Sequence, residues 1–357
     1  PVNEHDSHGE FIYLVAEHAR LTGDLSLARE VWPHVEKAAD YIDVLRKGVG
    51  SGESGVGDGQ PTTDNVFTGL LPPSISHEGY SAKPMHSYWD DFFALRGLKD
   101  ATWLAQQLGN GEAATRFAKS RDEFARDFHS SIRRAIERDH IDYIPGSADL
   151  GDFDPTSTTI GIEPGGDLAS LPEPVIYTFE RAWNESLERM EGRRAWKDYT
   201  PYELRQVGTF IHLGWRDRAQ RLLAFFLDDR RPLGWKQWAE VVAQDYRSPT
   251  YLGDIPHLWV GSDFVRSFLD MLAYERESDD ALVLGAGIPS SWLDRGVRVR
   301  GLRTIYGPLN FSARRSGKHI IVNISGVRVP RGGILLQLPG LGERVIKHLP
   351  ASVELKR

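Results

Sequence analysis

Apolar residues in the first three quarters of the chain recur three or four positions apart, in segments that long polar loops separate. Between Leu25 and Lys47 this spacing runs from Leu27 to Leu45, which predicts an amphipathic helix with one buried face. Glu10–Ala19 also has apolar residues on one face, and we predict further helices at Tyr88–Leu108, Glu112–Arg138, Thr156–Ile162, Pro174–Met190, Tyr202–Leu213, Arg216–Leu227 and Ser262–Glu275. Short glycine turns join several of these segments in pairs. We therefore expect helical hairpins that close into an (α/α)6 toroid, with the long loops on one rim.

The pattern changes after Ser278, where short β-branched runs alternate with glycine and proline. Such runs predict strands around Val297–Val299, Leu309–Phe311, His319–Ile324 and Ile334–Leu338. The fold class that we predict is mainly α. An (α/α)6 catalytic domain at 1–278 would be followed by a small antiparallel β-sandwich domain at 279–357.

The composition of the 357-residue chain excludes several kinds of chemistry. It contains no cysteine, so disulfides, thiolate metal sites and cysteine nucleophiles are excluded. The net charge of −7 argues against nucleic acid or an anionic membrane as a partner, and no apolar run is long enough to span a bilayer. His5 and His8 lie near Glu4 and Asp6, but no third ligand is placed with them. We expect neither a metal nor a cofactor.

The segment Gly234–Phe264 combines aromatic, acidic and glycine residues in one loop that leads into a helix. This mixture is typical of a pocket with apolar walls and a few polar groups, and tryptophan suits the apolar face of a sugar ring. Glu240 lies among these aromatic residues and is the candidate ionised carboxylate. It could also be a helix-surface residue, as His257 could be a structural histidine. The candidate substrate contacts here are Trp235, Trp238, Asp254, His257 and Trp259.

A second segment of similar character, His77–Phe93, places two adjacent acids among aromatic side chains. Burial and like charge there would raise the pKa of Asp90 or Asp91, although acids near a helix N-terminus also serve as caps. Asp154 precedes a proline and could line a site or form a turn. The candidate substrate contacts in these stretches are Glu78, Tyr88, Trp89, Asp91 and Asp154.

Two carboxyl groups are what the cleavage of a glycosidic bond requires, one protonated as acid and one ionised as base or nucleophile. We assign the acid to Asp90, with Glu78 as its rival, and the base to Glu240. The predicted function is a glycoside hydrolase that inverts the anomeric centre of a plant- or microbe-derived carbohydrate. Alternatives are a polysaccharide lyase whose base is Tyr80, Tyr88 or His257, a glycoside phosphorylase, or a glycan-binding protein without catalysis.

The chain resembles the six-hairpin glycosidases, and the α-L-rhamnosidase-like group in particular. The phrase FIYLVAEHARLTGDLSLAREVWPHVEKAADYIDVLR is similar to an early barrel hairpin with its TGD turn. WAEVV followed by HLWVGSDFVRSFLDML is similar to the late barrel, where the loop glutamate is the general base, and this resemblance implies that role for Glu240. The WDD sequence resembles the Trp-acid motif of glucoamylases and trehalases, which implies an acid or a substrate contact at Asp90, with Asp91 beside it. The β tail resembles the C-terminal sandwich of these enzymes.

One motif of the rhamnosidase-like group is absent from this sequence. Those enzymes carry their acid in an early DxxxRDER-like motif, so the acid is either in a missing N-terminal portion or supplied by Asp90 or Glu78. We accordingly expect the chain to lack the first helices of the toroid. A bacterial secreted or periplasmic location is expected, with the signal segment outside this chain.

Overall fold

A computed structural model of the chain describes residues 4–48, 65–77, 79–249 and 252–356. The chain forms two compact units, Pro1–Glu180 and Arg181–Arg357. Their boundary falls inside one helix, Pro174–Met190. The predicted division into domains 1–278 and 279–357 differs from this boundary and stays a prediction.

Paired helices build the first unit, and each of them lies within a few residues of its predicted position. Helix α1 packs against α2 and α3, and α3 also packs against α4 and α5. A prediction from local periodicity succeeds for α2 and α4 because each buries one apolar face, whereas α3 is buried on nearly all sides. The bounds are α1 Asp6–Thr22, α2 Ser26–Gly48, α3 Tyr88–Gln107, α4 Gly111–Asp139, α5 Pro155–Ile162 and α6 Pro174–Met190.

Two glycines allow α1 and α3 to cross at very short distance. A Cβ atom on Gly9 would lie 2.0 Å from the carbonyl oxygen of Phe93, and one on Gly97 would lie 2.7 Å from the Cα atom of Gly9. Only glycine therefore fits on either side of this crossing. The close contact fixes the N-terminal half of α3, which carries the predicted acids, against α1.

The second unit begins with helices and ends with strands. A 3-10 helix at Pro201–Arg205 leads into α7, so the helix predicted at Tyr202–Leu213 is divided in two. The last predicted helix, Ser262–Glu275, is shifted toward the N-terminus, because residues from Ala273 onward pair as a strand instead. The helix bounds are α7 Gln206–His212, α8 Arg216–Asp228, α9 Leu258–Leu272 and α10 Ser290–Arg295.

The strands of the second unit form two four-stranded sheets and one short pair. The sheet orders are β10-β7-β6-β5 and β3-β4-β8-β9, and β1 pairs with β2. The first of these sheets is antiparallel as predicted, but β4 and β8 run parallel, which the expectation of purely antiparallel pairing missed. The bounds are β1 Asp198–Tyr199, β2 Val242–Ala243, β3 Ala273–Arg276, β4 Ala281–Leu284, β5 Val297–Thr304, β6 Gly307–Ser316, β7 His319–Ser325, β8 Gly333–Leu336, β9 Arg344–Ile346 and β10 Ala351–Lys356.

Both four-stranded sheets contribute to one hydrophobic cluster. Leu284 on β4 and Leu336 on β8 belong to it together with Phe311 on β6 and Val322 on β7. Along β6 and β7 the residues alternate strictly between buried and exposed positions over most of each strand, so one face of this sheet turns toward the cluster and the other toward solvent. A complete toroid and a β-sandwich remain predictions.

For the helices of the described ranges, the relevant comparison is with a membrane-spanning helix, which requires a long stretch of apolar residues. None of the helices found there is both long and apolar enough to cross a lipid bilayer. The 29-residue α4 illustrates the reason, because charged residues alternate along it with the buried Phe117, Phe124 and Phe128. Its apolar stripe packs into the first unit and its other face is polar.

Candidate active site

The two adjacent acids at the start of α3 hold the preceding segment in place. Asp91 accepts a hydrogen bond from the backbone N–H of Leu71, with an N–O distance of 3.0 Å. Asp90 accepts one from the Ser74 hydroxyl at 2.5 Å. The N-cap of α3 is Ser87, which makes no side-chain cap hydrogen bond. The acids therefore connect segment 70–76 to α3, which differs from the helix-capping alternative.

Burial changes the protonation of both carboxyls. Asp90 is 1 % exposed, and its burial, with the nearby charge of Asp6, raises its pKa well above the usual range. Burial also raises the pKa of Asp91 to about 8, although the Leu71 N–H and the charge of Arg46 act in the opposite direction. Asp91 is therefore mostly protonated at neutral pH, and the shift of Asp90 is in the same direction, toward the protonated form. This is the protonation state of a proton donor, but Asp90 lies too deep to touch a substrate in this conformation.

Trp89 lies beneath an imidazole that links two loops of the first unit. The His77 ring stacks on Trp89 at a centroid distance of 4.7 Å, and its Nε2 lies 3.2 Å from Oδ2 of Asp154. The indole Nε1 of Trp89 donates to Asp6 at 2.8 Å. Trp89 is thus held on its ring face and at its polar edge. Glu78, the rival acid, lies outside the described residues.

Asp154 caps a short helix of the first unit. It is the N-cap of α5 and accepts hydrogen bonds from the backbone N–H groups of Thr156 and Ser157. Burial acts to raise the pKa of Asp154, yet the His77 contact and the Ser157 hydrogen bonds hold it below its usual value. Asp154 is therefore an ionised structural group, and its predicted contact with substrate remains untested.

Tyr80 and Tyr88, the lyase candidates of the first unit, lie in its interior. Tyr88 is fully buried, and its hydroxyl is 2.8 Å from that of Ser131. Tyr80 donates its hydroxyl to Asp152 at 2.8 Å. Burial raises the pKa of both phenols. A base in a lyase must lose its proton near neutral pH, so these surroundings disfavour both tyrosines in that role.

In the second unit, the loop Gly234–Phe264 folds back on itself through backbone hydrogen bonds. The N–H of Glu240 donates to the carbonyl of Asp254 at 2.9 Å, and the N–H of His257 donates to that of Trp238 at 3.2 Å. The hydroxyl of Thr200 donates to the carbonyl of Glu240 at 2.7 Å. These bonds bring together Glu240, Asp254 and His257, which the sequence analysis had chosen as candidates.

The carboxylate of Glu240 is half-buried. It receives neither a hydrogen bond nor an ion pair from the residues that the structure describes. Hydrogen bonds hold the backbone N–H and the backbone carbonyl of Glu240, so the position of its Cα atom is fixed. The carboxylate itself is left uncommitted. Such a carboxylate can accept a proton from a water molecule.

His257 forms the centre of a hydrogen-bonded chain that sequence reasoning only partly foresaw. Its Nε2 lies 2.5 Å from the hydroxyl of Tyr202, and its Nδ1 lies 3.1 Å from a carboxylate oxygen of Asp254. Contacts at both nitrogens fix the orientation of the ring. Tyr202 lies 55 residues upstream and was not a candidate, because no local pattern connects it with His257.

An arginine beside this chain is already neutralised. Arg205 donates to one carboxylate oxygen of Asp263 from Nε at 3.1 Å and from Nη2 at 2.8 Å. Its guanidinium also lies over the rings of Tyr202 and Trp259, at 5.0 and 5.8 Å. Burial raises the pKa of Asp263, although the charge of Arg205 opposes this effect. Neither Arg205 nor Asp263 was a candidate, since an isolated charged residue in a helix carries no sequence signal.

The three predicted tryptophans of this loop have different surroundings. Trp235 is 47 % exposed and Trp259 is 38 % exposed, whereas Trp238 is 6 % exposed. Trp238 donates its Nε1 to the carbonyl of Phe226 at 2.8 Å and packs against Phe264. Trp235 and Trp259 can offer a ring face to a sugar, and Trp238 supports the fold.

The two predicted catalytic carboxyls lie in different compact units, Asp90 in the first and Glu240 in the second. Their cooperation therefore stays a prediction. Within the described part of the chain, no three His, Asp or Glu side chains are placed to hold a metal ion. The sequence candidates His5 and His8 do not form such a group there.

Comparisons with known proteins relate the fold to one class of enzyme. No family model and no curated protein matches the chain. Two solved structures that it resembles are an α-L-rhamnosidase from Dictyoglumus thermophilum, at 12 % identity and a TM-score of 0.53, and one from Aspergillus terreus, at 14 % and 0.51. Each match covers 98 % of this chain but only 38 % of the rhamnosidase chain. The chain thus has a rhamnosidase-like fold and spans about two fifths of the length of those enzymes.

Proposed function

We propose that this chain is part of a glycoside hydrolase of the α-L-rhamnosidase type. The observation that carries the proposal is the folded loop of the second unit, whose backbone hydrogen bonds join Glu240, with its uncommitted carboxylate, to the segment that contains Asp254 and His257. The exposed faces of Trp235 and Trp259 lie in the same loop. A carboxylate, oriented polar groups and aromatic surfaces are the components of a sugar site, and the rhamnosidase-like fold agrees with this interpretation.

In this proposal Glu240 is the general base. It activates the water molecule that attacks the anomeric carbon, while a protonated carboxyl group on the opposite side donates to the leaving oxygen. His257, held at both nitrogens, orients a substrate hydroxyl. Asp90 has the raised pKa of a proton donor but not the exposure, so experiment must distinguish a proton donor from a structural acid.

Elimination is the less favoured chemistry for this site. A lyase neutralises the carboxylate of a uronic acid before its base removes a proton. Arg205 lies over the ring of Tyr202, which contacts His257, but Asp263 already balances the charge of this arginine. Hydrolysis needs no such cation, so the site fits a neutral sugar better.

The test compares Glu240→Gln with Asp245→Asn in the purified protein. Asp245 is an exposed acid of the same loop, so its replacement controls for loss of charge. Hydrolysis of an aryl α-L-rhamnoside should fall at least about 10³-fold in Glu240→Gln and remain within about twofold in Asp245→Asn. Equal activity of both variants would remove Glu240 from the mechanism.

Two further measurements complete the test. Asp90→Asn should abolish activity if Asp90 is the proton donor, whereas it should alter only stability if Asp90 is structural. Nuclear magnetic resonance of the first-formed anomer should show inversion. An unsaturated product, detected by its ultraviolet absorbance, would instead establish a lyase.

A further inference from the structure

The sheet β10-β7-β6-β5 has a strong positive bias in an acidic protein. Its four strands contain five arginines, one histidine and one lysine, against Glu354 as the single acid. The whole chain has a net charge of −7. Exposed arginines on the solvent face of this sheet are Arg298, Arg300, Arg303 and Arg314. Within the described part of the chain, none of these four forms an ion pair.

The solvent face carries a continuous row of polar side chains across all four strands. Arg298 on β5 is directly opposite Ser312 on β6, which is opposite Asn323 on β7, which is opposite Ser352 on β10. All four side chains point to one face, because residues in register across a sheet share a side. They form one wall of a groove.

A second row runs parallel to the first and forms the other wall. Asn310 on β6 is in register with Ser325 on β7, and Arg300 lies on the same face of β5, two residues from Arg298. The groove between the rows has a volume of about 480 Å³. It crosses three strand spacings, so its length is about 14 Å.

The arginines stand on both sides of one end of this groove. Arg298 and Arg300 lie on either side of Val299, about 7 Å apart for an extended backbone, and both line the groove, although the register of β5 with β6 shifts after Val299. A guanidinium on each wall can form paired hydrogen bonds with a carboxylate between them. The rest of the walls consists of hydroxyl and amide groups, which both donate and accept hydrogen bonds.

The direction and the lining of the groove indicate which kind of anionic ligand fits it. An added peptide strand would run along the sheet edge and bond to its backbone, whereas this groove runs across the strands. A single-stranded nucleic acid would need aromatic surfaces for its bases, and the lining residues offer no exposed aromatic ring. A polyhydroxylated chain with regularly spaced carboxylates satisfies both the hydroxyl-and-amide walls and the arginine pair.

We propose that this groove is an auxiliary binding site for a linear polyuronate, with a uronic acid carboxylate between Arg298 and Arg300. The choice of a glycan as the occupant rests on the proposed glycosidase function. The groove shares no residue with the loop that contains Glu240. It would hold an acidic polysaccharide on the enzyme while the hydrolytic site acts on a neutral sugar.

The test measures binding of polygalacturonate to the full chain by isothermal titration calorimetry. The double variant Arg298→Ala/Arg300→Ala should bind at least about tenfold more weakly, and added salt should weaken the wild-type complex. Arg314→Ala is the matched control on the same face outside the groove, and Arg344→Ala is the control on the other sheet. Both should bind within about twofold of wild type. Fully methyl-esterified polygalacturonate, which lacks the charge, should bind at least about tenfold more weakly than the acid.

Several results would overturn the proposal. No binding of polygalacturonate, or equal losses in the control variants, would exclude this groove as its site. Equally tight binding of polyglutamate or dextran sulfate would show general attraction of polyanions. Circular dichroism should confirm that the exposed substitutions leave the fold intact.

The auxiliary site and the hydrolytic site can fail separately. Glu240→Gln should still bind polygalacturonate, and Arg298→Ala/Arg300→Ala should still hydrolyse a small aryl glycoside at the wild-type rate. Loss of polymer binding in Glu240→Gln would place the polymer in the hydrolytic site and refute the groove. Polymer binding by an enzyme without glycosidase activity would refute only the proposed function.

Discussion

Replacing Asp91 with asparagine should stabilise the protein at neutral pH. Asp91 is fully buried and burial raises its pKa to about 8 from 3.8. At pH 7 the Asp91 carboxyl is ionised in the unfolded chain, whereas in the folded chain it keeps its proton. Keeping a carboxyl with an unfolded pKa of 3.8 protonated at pH 7 costs about 4 kcal/mol of stability. Asparagine removes this cost and still accepts the hydrogen bond from Leu71.

The new amide group carries a cost of its own. The second oxygen of Asp91 has no hydrogen-bond partner among the described residues, so the asparagine NH₂ group would be unsatisfied there at about 1–3 kcal/mol. The variant should therefore be more stable than wild type by about 1–3 kcal/mol at pH 7. Below about pH 3.5, where wild-type Asp91 is mostly protonated in both states, the variant should be less stable.

The pH dependence has a definite sign. A raised folded pKa means that the folded state binds more protons between pH 4 and pH 8, so the contribution of Asp91 to stability falls as pH rises through this window. Urea unfolding of wild type and variant, followed by circular dichroism from pH 4 to pH 8, measures the difference directly. The difference should change by about 4 kcal/mol between pH 4 and pH 7. A change below about 1 kcal/mol would mean that folded Asp91 is ionised, and would refute the reasoning.

Asp167 supplies a control with the opposite sign. It is buried and pairs with Lys99 at 2.8 Å and with His129 at 3.4 Å. Burial acts to raise its pKa, but these partners hold it below the usual value. Asp167→Asn should therefore destabilise the protein at pH 7, and the loss should shrink as pH falls through the folded pKa.

Three further substitutions test the fold and the site. Gly9→Ala should cost about 2–3 kcal/mol of stability, because its methyl group meets the backbone of α3 at 2.0 Å. Gly111→Ala is the control, since open space surrounds that position, and it should leave thermal unfolding unchanged. Equal melting temperatures of the two variants would contradict the close crossing of α1 and α3. Asp154→Ala should cost about 1–2 kcal/mol through loss of the α5 cap, and Asp154→Asn, whose amide oxygen still accepts, should cost less; equal losses would argue against capping. Tyr202→Phe should reduce kcat about tenfold with little change in KM, because the His257 ring loses its hydrogen bond to Tyr202 while substrate contacts persist. An unchanged kcat would mean that the Tyr202–His257 hydrogen bond is only structural.

The sequence by itself determined most of the helices, because an amphipathic helix records its buried face as a local spacing of apolar residues, although the short α10 was not predicted. It also located the loop Gly234–Phe264, since tryptophans, acids and glycines are combined there within a single short stretch. Glu240, Asp254 and His257 became candidate site residues in this way. The strands β5, β6 and β7 were predictable because their alternation is also local.

Only the tertiary structure decided which residues that are distant in sequence lie in contact. Tyr202 reaches His257 across 55 residues, and Arg205 reaches Asp263 across 58. The parallel pairing of β4 with β8 joins segments about fifty residues apart. Such contacts depend on how distant elements pack against each other, and this packing produces no local pattern of apolar and polar residues in the sequence.

Burial was likewise decided by the fold. Trp235 and Trp238 are three residues apart, yet one is half-exposed and the other supports the core. Asp90 and Asp91 looked like surface caps or site acids, but α1 and segment 70–76 cover them and raise their pKa values. A sequence states which groups are present, whereas solvent access and dielectric surroundings arise only when the elements have packed around them.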